Sequence, residues 1–244
     1  MDDGALAEDA PPGTAEILLD AAEADLVESG AGVLLASSII RGAWERALPS
    51  RGYTPLTLYF TRSDLPATAQ LPSVRHAVET DIASIVSLSA INLRILSDLD
   101  GFWRPHTEAG PRFGNWMKRS LTLADRDMLV SEVEGEIAGY AISQPATALH
   151  FPPAHDISRV GFIDDFFHRE FENPSGADRR GQAAAELLLA AEAALAERGD
   201  EAVLIVCPAA WTSKRSLLEA TGHRVASTWH IKGRDGNAPP AQRR

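Results

Sequence analysis

The residues of this chain best suited to chemistry lie in one stretch between positions 160 and 199. Asp164, Asp165 and His168 stand in the apolar, aromatic-rich run VGFIDDFFH, which predicts a buried strand. A carboxylate or an imidazole at such a strand end can take a proton from a reacting group. Neighbouring residues of a strand point to opposite faces, so only one of the two acids faces a cleft. An equally ordinary interpretation is an exposed pair of acids at an edge or bulge, followed by a partly exposed polar histidine.

The same stretch continues into a helix start that is suited to binding phosphate. A Pro/Ser/Gly loop follows the strand, and a helix rich in alanine and leucine opens at Arg180 and Gly181. The first turn of a helix has free backbone N–H groups and the positive end of the helix dipole. Arg180 adds a positive charge, and Gly181 lets a ligand approach the backbone closely. The stretch therefore predicts a phosphate or pyrophosphate site, although most such starts are simply capped helices.

This helix start resembles motif A of the GCN5-related N-acetyltransferases, whose pattern is R/Q-x-x-G-x-G/A. Arg180, Ala183 and Ala185 fall on the three defined positions, with Ala183 in place of the first motif glycine. The resemblance implies an N-acetyltransferase that uses acetyl-coenzyme A, in which the acceptor amine attacks the thioester directly and a base takes its proton. It places the cofactor on the backbone amides of Phe166, Phe167, His168, Arg180, Gly181, Gln182, Ala183, Ala184 and Ala185.

The resemblance covers residues 74–232 and implies the fold. The pattern predicts a strand and helix at RHAVETDIASIVSL, a second short helix, a hairpin ending in IAGYAIS, the stretch above, and then strand, helix and strand. This order agrees with the α/β (α+β) fold of that family, in which helices flank a mixed, mostly antiparallel sheet. The resemblance places the base at Asp164, Asp165 or His168. It places the acceptor-binding residues at Trp103, Arg104, His106 and Trp116. The two tryptophans could equally be ordinary packing residues.

Two departures from the family pattern keep a second function open. Leu218 stands where the family usually has a tyrosine that acts as general acid, and Trp211 stands where an asparagine is common. The alternative is a catalytically impaired module of the same fold, which binds an acyl-coenzyme A or a protein partner. A remoter alternative is an unrelated α/β protein whose helix start binds no phosphate. Cys207 lies in an apolar strand and is interpreted as a core residue.

The N-terminal part of the chain predicts a partial repeat of the C-terminal part. AAEADLVESG at Ala21 to Gly30 aligns with AAEAALAERG at Ala190 to Gly199, and the next strand, helix and strand follow in the same order. We therefore expect a flexible start (1–13), a partial acetyltransferase-like repeat (14–65), a linker (66–73), the complete domain (74–232) and a disordered tail (233–244). A half-domain buries too little apolar surface to fold alone, so it must pack on the complete domain or on another subunit, as in a homodimer.

Composition sets limits on the partners. The chain of 244 residues has 23 Lys+Arg against 34 Asp+Glu, a formal net charge of −11, which argues against nucleic acid and anionic membranes as partners. A small-molecule or protein amine is the expected acceptor. With one cysteine, no signal-peptide pattern, no metal-ligand spacing and no apolar run near the roughly 20 residues of a membrane span, we expect a soluble, cytoplasmic protein.

Overall fold

The computed structural model describes residues 6–67, 71–147, 156–176 and 181–233. Arg180, the predicted tail beyond Gly233 and the first five residues lie outside them. The helices are α1 (Thr14–Glu28), α2 (Trp44–Ser50), α3 (Ile82–Leu99), α4 (Ala109–Ser120), α5 (Gln182–Glu197) and α6 (Thr212–Ala220). The strands are β1 (Val33–Ile39), β2 (Thr54–Arg62), β3 (Val74–His76), β4 (Asp127–Val133), β5 (Glu136–Pro145), β6 (Val160–His168), β7 (Ala202–Pro208) and β8 (Arg224–Gly233). The predicted mixed α/β class, with mostly antiparallel strands flanked by helices, is confirmed.

The chain divides into two compact units, residues 1–59 with 225–244 and residues 60–224. This division differs from the predicted boundaries at residues 65 and 74, which place the last strand in the complete domain and stay a prediction. β8 instead groups with the N-terminal residues, because all of β1 (Val33–Ile39) pairs with it in antiparallel register, from Val33 with Gly233 to Ile39 with Ser227.

The first unit has strands in the order β1-β8-β2, and its core lies where α1 and α2 meet β1. Leu19, Leu34 and Leu48 are buried there. The sequence predicts Thr14 as the N-cap of α1, but Thr14 is the first residue of the helix and Gly13, at φ 87°, is the N-cap. The Thr14 hydroxyl donates instead to Pro11 O at 2.7 Å. The order α1, β1, α2, β2 matches α5, β7, α6, β8, and the internal repeat stays a prediction.

The second unit has strands in the order β7-β6-β5-β4-β3, in which β6 and β7 are parallel and the other neighbours are antiparallel. The predicted hairpin is present as β4 and β5, with Glu134 and Gly135 at positive φ (54° and 83°) in its turn. α3 and α5 both contact β5. Ser143 Oγ on β5 donates to Ala191 O on α5, while Asn92 on α3 reaches Asp165 on β6.

Two helices of the second unit differ from the sequence-based expectation. The segment Glu79–Leu99 is apolar enough, and at 21 residues long enough, to cross a membrane by length and composition alone. The expectation that no run comes near that length is therefore wrong, because the serines of α3 interrupt the run without making it polar on average. One such segment is weak evidence for a membrane, and α3 contacts β5 and β6. The sequence predicts the second short helix over Phe113 to Leu121, but α4 begins at Ala109, because Pro111 is tolerated in a first turn.

Candidate functional site

A β-bulge decides which of the two acids points inward. On the pairing of β5 with β6, Ile142 faces Asp165 and Ser143 faces Ile163, so Asp164 is the extra residue. A bulge sets two residues of one strand opposite one residue of its neighbour, which changes the alternation of side chains at that point. Asp164 is accordingly exposed, and Asp165 is turned toward α3 and half-buried.

The strands β6 and β7 part at the same place. Their parallel register covers Val160 to Ile163 on β6 and Ala202 to Ile205 on β7. Beyond Ile163, β6 continues to His168 without pairing to β7 among the described residues. The backbone groups on that side of β6 therefore need partners other than β7. This end of β6 carries the predicted cofactor residues Phe166, Phe167 and His168, all of which are buried.

Asp165 is held by a tyrosine and an asparagine. Its Oδ2 accepts a 2.9 Å hydrogen bond from Tyr140 Oη, and its Oδ1 accepts a 3.2 Å hydrogen bond from Asn92 Nδ2. Burial raises the pKa of Asp165 to about 6, against the lowering effects of the Tyr140 hydrogen bond and the Lys214 charge. Burial also raises the pKa of Tyr140 well above its usual value. The pair thus consists of a neutral phenol and a carboxyl group that ionises near neutral pH.

His168 is a buried, neutral histidine with a structural contact. Only 1% of its surface is exposed, and burial lowers its pKa to about 4. Its Nδ1 accepts a 3.1 Å hydrogen bond from Glu170 N–H and so caps the short 3-10 turn Arg169–Phe171. The ring lies against Gly139, where an added Cβ would stand 2.3 Å from His168 Cδ2. With so low a pKa, His168 is a weaker base near neutral pH than Asp165.

At the start of α5, a carboxylate accepts a hydrogen bond from one of the backbone amides predicted to bind phosphate. Gly181 is the N-cap, and Ala185 N–H makes the first intrahelical bond, to Gly181 O at 2.9 Å. Ala184 N–H donates a 2.8 Å hydrogen bond to Glu170 Oε2, fourteen residues earlier in the chain. A carboxylate is stabilised at a helix N-terminus for the same reason as a phosphate. A pyrophosphate at this amide would therefore have to displace Glu170.

Lys214 is buried between β6 and α6, and the sequence-based prediction missed it. Its Nζ donates a 2.7 Å hydrogen bond to Phe166 O, which lies beyond the β6 residues that pair with β7. The rings of Phe166, Phe171 and Trp211, which together we call the aromatic cluster, surround Nζ with centroids 5.4 to 5.8 Å away. Burial lowers the pKa of Lys214. The one feature of the sequence that could have indicated this burial is its spacing from Leu218. The two residues are four apart and so lie on one face of α6, and Leu218 is buried.

The four predicted acceptor-binding residues divide into two groups. Trp116 on α4 is half-buried, carries the Arg126 guanidinium 4.9 Å from its ring centroid, and is linked through Phe113 to Tyr140 by ring contacts of 6.1 and 6.2 Å. The others, Trp103, Arg104 and His106, follow α3 and have local contacts. Trp103 packs edge-on against Phe102, while Arg104 and His106 are exposed and His106 Nδ1 accepts from Glu108 N–H.

Two surface cavities border α5 and do not include Asp165 or Lys214 in their linings. One, of about 460 Å³, lies beside Arg75 on β3, and the other, of about 260 Å³, lies beside Arg62 on β2. Within the described ranges, no three His, Cys, Asp or Glu residues are placed to hold a metal ion. Cys207 is buried, and burial raises its pKa to about 12, which agrees with its interpretation as a core residue.

Comparison with known proteins identifies the fold. No family model and no curated protein matches this sequence. A GNAT-family acetyltransferase from Colwellia psychrerythraea superimposes with a TM-score of 0.54 at 9% identity, over 88% of this chain and 73% of that one. A GCN5-related N-acetyltransferase from Sphaerobacter thermophilus gives a TM-score of 0.52 at 18% identity, over 91% and 68% of the two chains. At these identities the likeness concerns the fold alone: this chain has the fold of the GCN5-related N-acetyltransferases.

Proposed function

We propose that this protein is an N-acyltransferase that moves an acetyl group from acetyl-coenzyme A to an amine of a small molecule or protein. The observation that carries the proposal is the Asp165 carboxyl group, which lies just past the bulge of β6 and has a pKa of about 6. A general base works best when its pKa lies near the working pH, and this group meets that condition.

The chain offers groups for each task that direct acyl transfer requires. Acetyl-coenzyme A supplies an activated acyl thioester. Asp165 takes the proton that the attacking amine loses, and Tyr140 and Asn92 hold the carboxylate in place. The backbone of Phe166 to His168, at the end of β6, and the start of α5 at Gly181 are the surfaces expected to bind the cofactor. The end of the β6–β7 register at Ile163 fits such a ligand, because beyond it β6 does not pair with β7.

A specific observation also favours the alternative, an impaired module that binds an acyl-coenzyme A or a protein partner. Glu170 holds the Ala184 amide, and Lys214 holds the Phe166 carbonyl. Phe171 and Trp211 pack against each other next to these contacts, with ring centroids 5.8 Å apart. The chain thus satisfies with its own side chains two backbone groups that a cofactor would be expected to use.

Two measurements separate these functions. Calorimetry with coenzyme A tests binding, and release of free thiol from acetyl-coenzyme A in the presence of a panel of primary amines tests transfer. The transferase predicts both, and the impaired module predicts binding without thiol release. Arg180→Glu reverses a charge before α5 and should weaken coenzyme A binding. Absence of any coenzyme A binding by the wild-type protein would contradict the transferase and the module that binds an acyl-coenzyme A, and would leave only the module that binds a protein partner.

A further inference from the structure

Lys214 is a buried cation that the mechanism above does not use. Only 5% of its surface is exposed, and lysine is almost never buried without a partner because its ammonium loses hydration. Within the described part of the chain its one hydrogen bond is to Phe166 O. An ammonium group has three N–H donors, so two remain for another acceptor.

The surroundings of Lys214 favour an ammonium that gives up its proton readily. The nearby ionisable groups that act on it are Asp165 on β6 and Cys207 on β7, and the three rings of the aromatic cluster enclose it. Burial makes the ammonium a stronger acid than an exposed lysine, since it disfavours the charged form. Aromatic rings attract the cation without accepting its proton.

The position of Lys214 matches the place where an acyl thioester would react. Phe166 O, its acceptor, lies one residue from Asp165 on the end of β6 that is proposed to bind the cofactor. A sulfur atom held along this backbone would therefore lie near Nζ, while the attacking amine lies on the side of Asp165. One group would then be placed to take a proton and the other to give one.

We propose that Lys214 is the proton donor to the sulfur atom that leaves during acyl transfer, an inference that rests on the proposed N-acyltransferase function. The C–N bond forms as the C–S bond breaks. Asp165 takes the proton lost by the amine, and Lys214 Nζ gives a proton to the sulfur, so that the products are an amide and a neutral thiol. Proton transfer from Asp165 through solvent returns both side chains to their starting states.

Lys214→Met tests the proposal, because methionine has a similar size but no ammonium group that could give a proton to the sulfur. The variant should lose about 100-fold or more in kcat with acetyl-coenzyme A. Lys118→Met, at an exposed position on α4, is the matched control and should keep the wild-type rate. A second measurement does not depend on turnover: calorimetry compares coenzyme A with desulfo-coenzyme A, which lacks the sulfur. The wild-type protein should prefer coenzyme A by about tenfold, and Lys214→Met should bind both equally.

The outcomes distinguish this inference from the proposed function. Wild-type activity with undiminished kcat in Lys214→Met would overturn the role of Lys214 and leave the transferase function standing. Tighter coenzyme A binding and faster turnover in Lys214→Met would also overturn it, because the lysine would then merely block the groove. A wild-type protein that releases no thiol would overturn both. If Lys214→Met does not fold, Lys214→Arg keeps the charge without a transferable proton, so it should retain the preference for coenzyme A and lose kcat; wild-type kcat in this variant would contradict the proposal.

Discussion

Tyr140 Oη donates a 2.9 Å hydrogen bond to Asp165 Oδ2 from the neighbouring strand β5. The two residues are not direct partners across the strands, since Tyr140 faces Phe167 and Asp165 faces Ile142. Their side chains meet diagonally, on the face turned toward α3. The phenol therefore supports a carboxylate that burial alone would keep protonated to a higher pH.

Tyr140→Phe should raise the pKa of Asp165 above about 6, because it removes a hydrogen bond that favours the ionised form. The acid limb of a profile of acyl-transfer rate against pH should move to higher pH. The free energy of unfolding should fall by about 1–3 kcal/mol, as is usual when a buried polar group loses its partner. An acid limb that stays in place would show that the phenol does not set the pKa of this carboxyl group.

The pKa of Asp165 also predicts how stability depends on pH. A carboxyl group whose pKa rises from 3.8 to about 6 on folding keeps its proton in the folded state after the unfolded chain has lost it. The free energy of unfolding therefore falls as pH rises from about 4 to about 6, and the loss is complete above that range. Asp165→Asn has no such loss, so its melting temperature relative to wild type should be higher at pH 8 than at pH 4. An equal difference at both pH values would contradict the raised pKa.

The strands and helices could largely be predicted from local patterns. β6, the hairpin of β4 and β5, and α5 lie within a few residues of their predicted limits because period and turn residues act over short distances. The sequence allowed a bulge at the two acids as one interpretation, but only the pairing of β6 with β5 shows that Asp164 is its extra residue. The assignment of β8 to the N-terminal unit likewise depends on its pairing with β1.

The candidate site could be predicted only in part. Asp165 could be proposed because it is an acid in an apolar strand. Its partners Tyr140 and Asn92 come from two other elements, and nothing in the sequence around them indicates that they contact Asp165. Lys214 occurs in the polar-looking segment TSKRSLLEA, where a lysine is normally exposed. Its burial depends on Phe171 and Trp211, which only the folded chain brings to it.

Glu170→Gln should strengthen coenzyme A binding by roughly two- to fivefold, because it removes a negative charge from the α5 amide that a pyrophosphate would use. Glutamine can still accept the hydrogen bond from Ala184 N–H, so the helix start is kept. Glu172→Gln is the matched control, since Glu172 lies near Arg94 and Arg169 and should not change the affinity. Calorimetry of both variants measures the effect, and weaker binding by Glu170→Gln would show that the helix start meets the cofactor differently.

Gly139→Ala should displace the ring of His168, because the new Cβ would stand 2.3 Å from Cδ2. The ring cannot move without disturbing the capped turn at Glu170, so we expect a loss of about 1–3 kcal/mol in the free energy of unfolding. Gly110→Ala on α4 is the control, since an added Cβ there has nothing within 4 Å. Thermal unfolding of both variants measures the loss, and an unchanged melting temperature for Gly139→Ala would refute the close contact between Gly139 and the His168 ring.

The most direct test of the proposed function compares two neighbouring carboxylates. Thiol release from acetyl-coenzyme A, with an amine acceptor found by the panel, is measured for wild type, Asp164→Asn and Asp165→Asn at saturating substrates between pH 6 and 9. Asp164 is the exposed residue of the bulge, and Asp165 is held by Tyr140 and Asn92. The account predicts a fall of about 100-fold or more for Asp165→Asn and a rate near wild type for Asp164→Asn. A wild-type rate for Asp165→Asn across this pH range would contradict it.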